Sequence, residues 1–249
     1  MVKNNSFKKI VGGIGDFLQG ADSAIAEKEI KVYSHAKNAS DFFSGLGVKA
    51  HLQYFKEIEE IYPMEEKDDL SRHLFYNFTP PEKSVELAYG NIGNQDHVIG
   101  IHPLGSAFWN QHVKKQDIPI QKIIEPDAVR SLINLFDKHS KIVIFGAPHE
   151  LEIYKNELKD IQNIVWVDYE NIWDSLCHVL FCHLVIAMDS CIKSMSSGLR
   201  IPSIVFVPNT HDPFRDQLFI DPYVDQGVMN IIKYNTIGDI EVDKVKNLI

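Results

Sequence analysis

The chain has 249 residues, 45% hydrophobic and 24% charged, with a formal net charge of −9. That length and composition suit a soluble globular protein of one large domain or two small ones, with a sizeable core. The acidity excludes non-specific nucleic-acid binding, which needs a basic surface, so an anionic ligand would depend on a local cluster of cations or helix N-termini.

Three cysteines, Cys177, Cys182 and Cys191, make an odd count without metal-ligand spacing. They read as small buried hydrophobes in a reducing compartment. The N-terminus lacks a signal-peptide apolar core, and no run reaches about 18 apolar residues. A cytoplasmic location is expected.

In chain order, KKIVGG reads as a strand and residues 16–27 as helix. EIKVYSH (29–35) is a strand, NASDFFSGLG (38–47) a short helix closed by glycine, and VKAHLQYF (48–55) a third strand. EEKDDLSRHLFYNF (65–78) has helical character. TPPEKS (79–84) and YGNIGNQD (89–96) are rich in turn residues, and the second is the expected linker between two lobes, 1–93 and 94–249. HVIGIHP (97–103), KIVIFGAP (141–148), NIVWV (163–167), LVIAMDS (184–190) and IPSIVFVP (201–208) read as strands, with helices over 126–139, 149–160, 171–182 and 191–199 between them. Strands apolar throughout, alternating with helices, predict a parallel α/β sheet covered on both faces, with ligands at the C-terminal strand ends.

The stretch VGGIGDFLQG (11–20) resembles a dinucleotide-binding turn only in part. Gly13 and Gly15 fit the first two glycines of G-x-G-x-x-G, but Leu18 holds the third position, and Ser34-His35 follow the second strand where a ribose-binding acid would stand. Asp16 would also repel a phosphate at that helix start. It reads instead as a helix cap, or as a working carboxylate able to take a proton from a hydroxyl.

Three further stretches could carry chemistry. After His102-Pro103, the Gly105-Ser106 turn can present amides and a hydroxyl to phosphate, with Lys114, Lys115 and Lys122 as local cations. Gly146 ends a strand, and Glu150, close behind it, either favours the helix dipole or hydrogen-bonds sugar hydroxyls. Asp189 and Ser190 open a helix whose amides form an anion site; Lys193 in its first turn disfavours the dipole unless an anion binds, and otherwise Asp189 is a cap and Lys193 solvated. Small residues at Ser194, Ser196, Ser197 and Gly198 allow close approach. No D-x-D, G-x-S-x-G or Walker lysine pattern occurs, so no metal site is expected.

Together, GGIGDFLQ, HPLGS, IVIFGAPHE and MDSCIKSMSSGLRIP, in that order, resemble glycosyltransferase family 9, the ADP-heptose:lipopolysaccharide heptosyltransferase family. The resemblance covers most of 97–210 and the first 20 residues. It implies a GT-B-like α/β fold of two Rossmann-like lobes with parallel sheets, the N-terminal one reduced because the chain is short for the family. It implies an acceptor lobe containing Gly13 and Gly15, with Asp16 as the catalytic base facing an interlobe cleft, and a donor lobe that binds a nucleotide-sugar. The family's phosphate-binding Asp-Thr/Ser-Gly maps onto Asp189, Ser190 and Cys191. Its following histidine falls at Ser194, beside Lys193, which can substitute. Its lysine before Trp-Pro has no clean match, so Lys122 or Lys114 would replace it.

The implied activity is metal-independent, inverting transfer of a sugar to a hydroxyl acceptor such as a glycan or lipopolysaccharide, with no cofactor. A lipid-linked acceptor would bring the protein to a membrane surface. The alternatives are a non-catalytic nucleotide-sugar-binding module and an NAD-type Rossmann enzyme.

Overall fold

A computed structural model describes residues 8–11, 14–19, 21–34, 39–54, 79–105, 123–168, 171–209, 220–235 and 240–249. Contacts divide the chain into two compact units, Met1–Pro81 and Glu82–Ile249.

In the first unit, β1 (Lys8–Val11), α1 (Ile14–Gln19), α2 (Ala21–Glu27), β2 (Glu29–Ser34), α3 (Ala39–Gly45) and β3 (Lys49–Tyr54) alternate. The strands lie in the order β1-β2-β3, all parallel, with Lys8 opposite Ile30 and Glu29 opposite Lys49. The single helix expected over 16–27 is two. Leu18, Ala21, Ala24, Ile30, Val32, Phe42 and Phe43 are buried. A core leucine therefore occupies the position where a dinucleotide turn would need its third glycine. The helix expected over 65–78 lies outside the described residues.

The second unit begins with α4 (Glu82–Ile92). Next come β4 (Val98–His102), α5 (Pro126–Ile133), β5 (Lys141–Gly146), α6 (Pro148–Glu157), β6 (Ile164–Asp168), α7 (Ile172–Leu180), β7 (Leu184–Met188) and α8 (Cys191–Gly198). It closes with β8 (Ser203–Pro208), α9 (Asp221–Asp225), β9 (Met229–Tyr234) and α10 (Val242–Lys246). Its six-stranded sheet has the order β6-β5-β4-β7-β8-β9, with every neighbouring pair parallel. The chain winds outward from β4 to β6, returns to β7 beside β4, and winds outward again to β9. That is the doubly wound dinucleotide-fold order, and its crevice lies beyond the C-terminal ends of β4 and β7, where the winding reverses.

Strand alternation assigns the two faces. Ile99, Ile101, Ile142, Ile144, Ile186, Met188, Ile204 and Phe206 share one cluster with Val129 and Leu132 of α5, Leu151 and Tyr154 of α6 and Val245 of α10. Gly100, Val143, Phe145, Val185 and Ala187 are the residues between them, so they face the opposite side. A Cβ on Gly100 would come within 3.0 Å of the Cys182 Sγ and 3.2 Å of Val185. The glycine is thus required by the close approach of the segment after α7. Cys177 and Cys182 are buried, as the sequence suggests.

Two elements depart from the sequence reading. The stretch 89–96, expected as a linker, contains the last turn of α4, which packs on α7 within the second unit. Ser84, Ala88 and Ile92, each four residues apart, are its buried positions. Tertiary burial of that small-residue stripe outweighs the poor helix propensity of Tyr89, Gly90 and Asn91. The turn signal is real only at Gly93, whose φ of 71° ends the helix. Strand β9 was not anticipated from MNIIKY, a short edge segment in which Met229, Ile232 and Tyr234 are buried.

Candidate functional site

The strand reversal, where doubly wound sheets take their ligands, is formed by β4, β7 and the first turn of α8. β4 ends at His102, in register with Ala187 of β7. His102 is only 2% exposed, and burial pushes its imidazole down to about 3, so the ring is neutral at ordinary pH. Its Nδ1 shares a 2.7 Å hydrogen bond with the Ser190 hydroxyl. Ser190 has extended backbone and caps α8, its Oγ accepting a long bond of 3.5 Å from the Lys193 amide. The cap is therefore Ser190, one residue after the Asp189 that the sequence suggested.

Asp189 is engaged elsewhere. Its Oδ1 lies 2.8 Å from the Lys193 ammonium, with side chains 10% and 4% exposed respectively. Both groups are largely buried and form an ion pair with each other. Lys193 is thus neither solvated nor an unpaired cation. Ser194 is buried in the next position of α8. The Tyr234 phenol, at the end of β9, is held above its usual range by burial first and by the Asp189 charge second. Cys191, the first residue of α8, has its thiol pushed up to about 12 by burial and then by Glu150. It is accordingly not a reactive thiolate.

One strand over, β5 ends at Gly146, where a Cβ would meet Leu151 at 3.0 Å and the Glu150 Cβ at 3.5 Å. This glycine makes room for its own following helix. Glu150 is buried, and its Oε2 accepts a 2.6 Å bond from the Ala147 amide at the start of α6. The carboxylate completes a helix N-terminus, and its charge reaches Cys191.

Gly105 is buried three residues beyond β4. Leu104 bridges Ile123 in antiparallel fashion, and the Ile124 amide donates to the Pro103 carbonyl at 2.7 Å. The described residues on either side of 106–122 are therefore bridged to each other just beyond β4. Ser106, Lys114, Lys115 and Lys122 within that stretch lie outside the described residues, as does Gly13. Gly15 and Asp16 lie in α1 of the first unit; the Asp16 side chain is outside the described residues.

Of the sequence-predicted residues, the structure places Asp189, Ser190, Lys193 and Ser194 at the strand reversal, Gly105 three residues beyond β4, and Gly146 and Glu150 at the end of β5 and the start of α6. Sequence reasoning missed His102, the reach of the Glu150 charge to Cys191, and Tyr234. The His-Pro ending of β4 was a visible signal for the first; nothing in MNIIKY announced the last. Among the described residues no cluster of three His, Cys, Asp or Glu side chains could hold a metal, and no helix is long and apolar enough to cross a membrane.

No protein-family profile matches the sequence, and no curated protein matches it. Among solved structures the chain is similar to E. coli ADP-heptose lps heptosyltransferase II, with a TM-score of 0.63 at 12% identity over 96% of each chain. It is also similar to the glycosyl transferase family 9 structure from Veillonella parvula DSM 2008, with a TM-score of 0.56 at 13% identity over 96% of this chain and 95% of that one. The chain therefore has the GT-B-like α/β fold of family 9 glycosyltransferase structures.

Proposed function

We propose that the chain is a sugar transferase that binds a nucleotide-activated sugar at the strand-reversal crevice of its second unit. The observation that carries this reading is the polar convergence at the ends of β4 and β7, at the place where doubly wound sheets take their ligands. Ser190, Lys193 and the first amides of α8 would hold the donor diphosphate, because the opening turn of a helix directs its amides at an anion. Glu150, Gly105, Ser106 and Lys122 join them in this proposal. The absence of a D-x-D sequence favours charge neutralisation by these groups without a divalent ion.

Asp16 of the first unit would serve as general base, with Gly13 and Gly15 shaping the acceptor side. It takes the proton of an acceptor hydroxyl, the oxygen bonds to the anomeric carbon, and the bond from that carbon to the diphosphate breaks. The nucleoside diphosphate leaves and the anomeric configuration inverts. General-base assistance contributes about 10²–10⁴-fold. Asp16→Asn is expected to lose turnover by that order while retaining nucleotide affinity, as read by transfer from a panel of nucleotide-sugars and by calorimetry. Wild-type turnover in the variant removes Asp16 from the mechanism. A thermal-shift screen of ADP, UDP, GDP and CDP identifies the nucleotide: ligand at 100 times its Kd stabilises by about 2.7 kcal/mol.

The pairing of Lys193 with Asp189 favours one second reading, a module that binds nucleotide-sugars without transferring the sugar. In that case nucleotide shifts the melt but no member of the panel yields product.

A further inference from the structure

The hydroxyl of Ser190 has one proton and two acceptor positions. The Lys193 amide donates to one of them, at 3.5 Å. The 2.7 Å bond to His102 Nδ1 decides the rest. If Nδ1 carries the ring proton, it fills the second acceptor position, and the hydroxyl proton must point out of the cap. If Nδ1 is bare, the hydroxyl donates to the ring and has no proton left for a ligand. Ser190 is partly exposed, so an outward proton can reach one. His102 itself is buried at the end of β4, one strand away in the sheet.

We propose that His102 is a positioning residue: its Nδ1–H holds the Ser190 hydroxyl so that the proton is donated to an anionic oxygen bound at the start of α8. This deepens the proposed nucleotide-sugar reading and rests on it. Burial keeps the ring neutral, so the device is the choice of tautomer and not a charge. The anion gains one aimed donor, and the arrangement ties ligand binding on β7–α8 to a side chain on β4.

The test uses the full chain, with inorganic pyrophosphate and the four nucleoside diphosphates as probes in calorimetry. His102→Leu and Ser190→Ala should each weaken binding of the responding probe about 5–10-fold, the scale of one hydrogen bond. Their combination should be no weaker than Ser190→Ala alone, because both remove the same donor. His102→Asn, whose amide can donate from nearly the same place, should stay within about threefold of wild type. In ¹⁵N-histidine-labelled wild-type protein, the His102 Nδ1 resonance should be that of a protonated nitrogen when probe is bound.

Losses that multiply in the double variant, or a bare Nδ1 in the bound spectrum, overturn the proposal while leaving the nucleotide reading intact. If the wild-type protein binds none of the five probes, both fall. Should His102→Leu fail to fold, His102→Asn and the spectrum still decide.

Discussion

The Lys193 ammonium and the Asp189 carboxylate meet at 2.8 Å, the lysine the more buried of the two. Such a pair adds little net stability over apolar replacements, but breaking it by deleting one partner leaves a charge without compensation. Asp189→Ala is expected to destabilise the second unit by about 3–5 kcal/mol, and Lys193→Met by less, since Asp189 retains more contact with water. Urea midpoints check the asymmetry; equal losses would contradict the burial difference. The sequence placed both residues at the right strand end but assigned the lysine to a bound anion or to solvent. Their four-residue separation permits a pair, yet one sequence cannot say whether the lysine folds back or reaches outward. That choice depends on the sheet beneath it. Glu150 is similar: the sequence left it between the helix dipole and sugar hydroxyls, and the structure shows its carboxylate accepting a 2.6 Å bond from the Ala147 amide at the helix start.

At the scale of elements, the central strands were legible because buried parallel strands are apolar from end to end. β4, β5, β7 and β8 fall within about two residues of the expected bounds, the usual uncertainty of element ends. α4 and β9 were not legible. α4 owes its existence to packing on α7, which local propensity does not encode, and β9 is a short edge segment with polar positions between its buried ones. A second local feature has a measurable cost. Lys28, just after α2, has a φ of 62°, in the left-handed region that favours glycine. It is exposed, and its carbonyl accepts from the Lys49 amide at 2.9 Å, which fixes the turn against β3. Lys28→Gly should preserve that backbone bond and relieve about 1 kcal/mol of strain. Differential scanning calorimetry should then show a midpoint raised by about 2–4 °C. A lowered midpoint would mean that the lost entropy of glycine outweighs the relief.

For the whole molecule, acid should act first on the second unit. His102 and His178 are both buried there, and burial lowers both imidazoles, His102 from 6.5 to about 3. His178 Nδ1 bonds the Asp174 carbonyl at 2.7 Å, so that nitrogen carries the proton, and Nε2 accepts from the Asn91 amide at 3.0 Å. A second proton has no place in that arrangement. The unfolded chain takes up protons before the folded one as pH falls, so stability is complete above about 6.5 and declines below it. The slope is up to about 1.4 kcal/mol per pH unit for each histidine still neutral. Denaturation midpoints of the second unit should fall from pH 7 to pH 5, and His178→Gln should flatten the profile. A midpoint constant over that range would mean that the rings protonate without opening the fold.

The boundary at Pro81 has a consequence for ancestry and for engineering. The helix that follows it, α4, lies against α7 within the second unit. The segment from Glu82 onward is a compact unit by itself, with two prolines standing at the seam. Such a segment is a cassette. Exchanging what precedes Thr79 would keep α4 whole, whereas a crossover at the glycine-rich stretch after residue 89 would cut that helix in two.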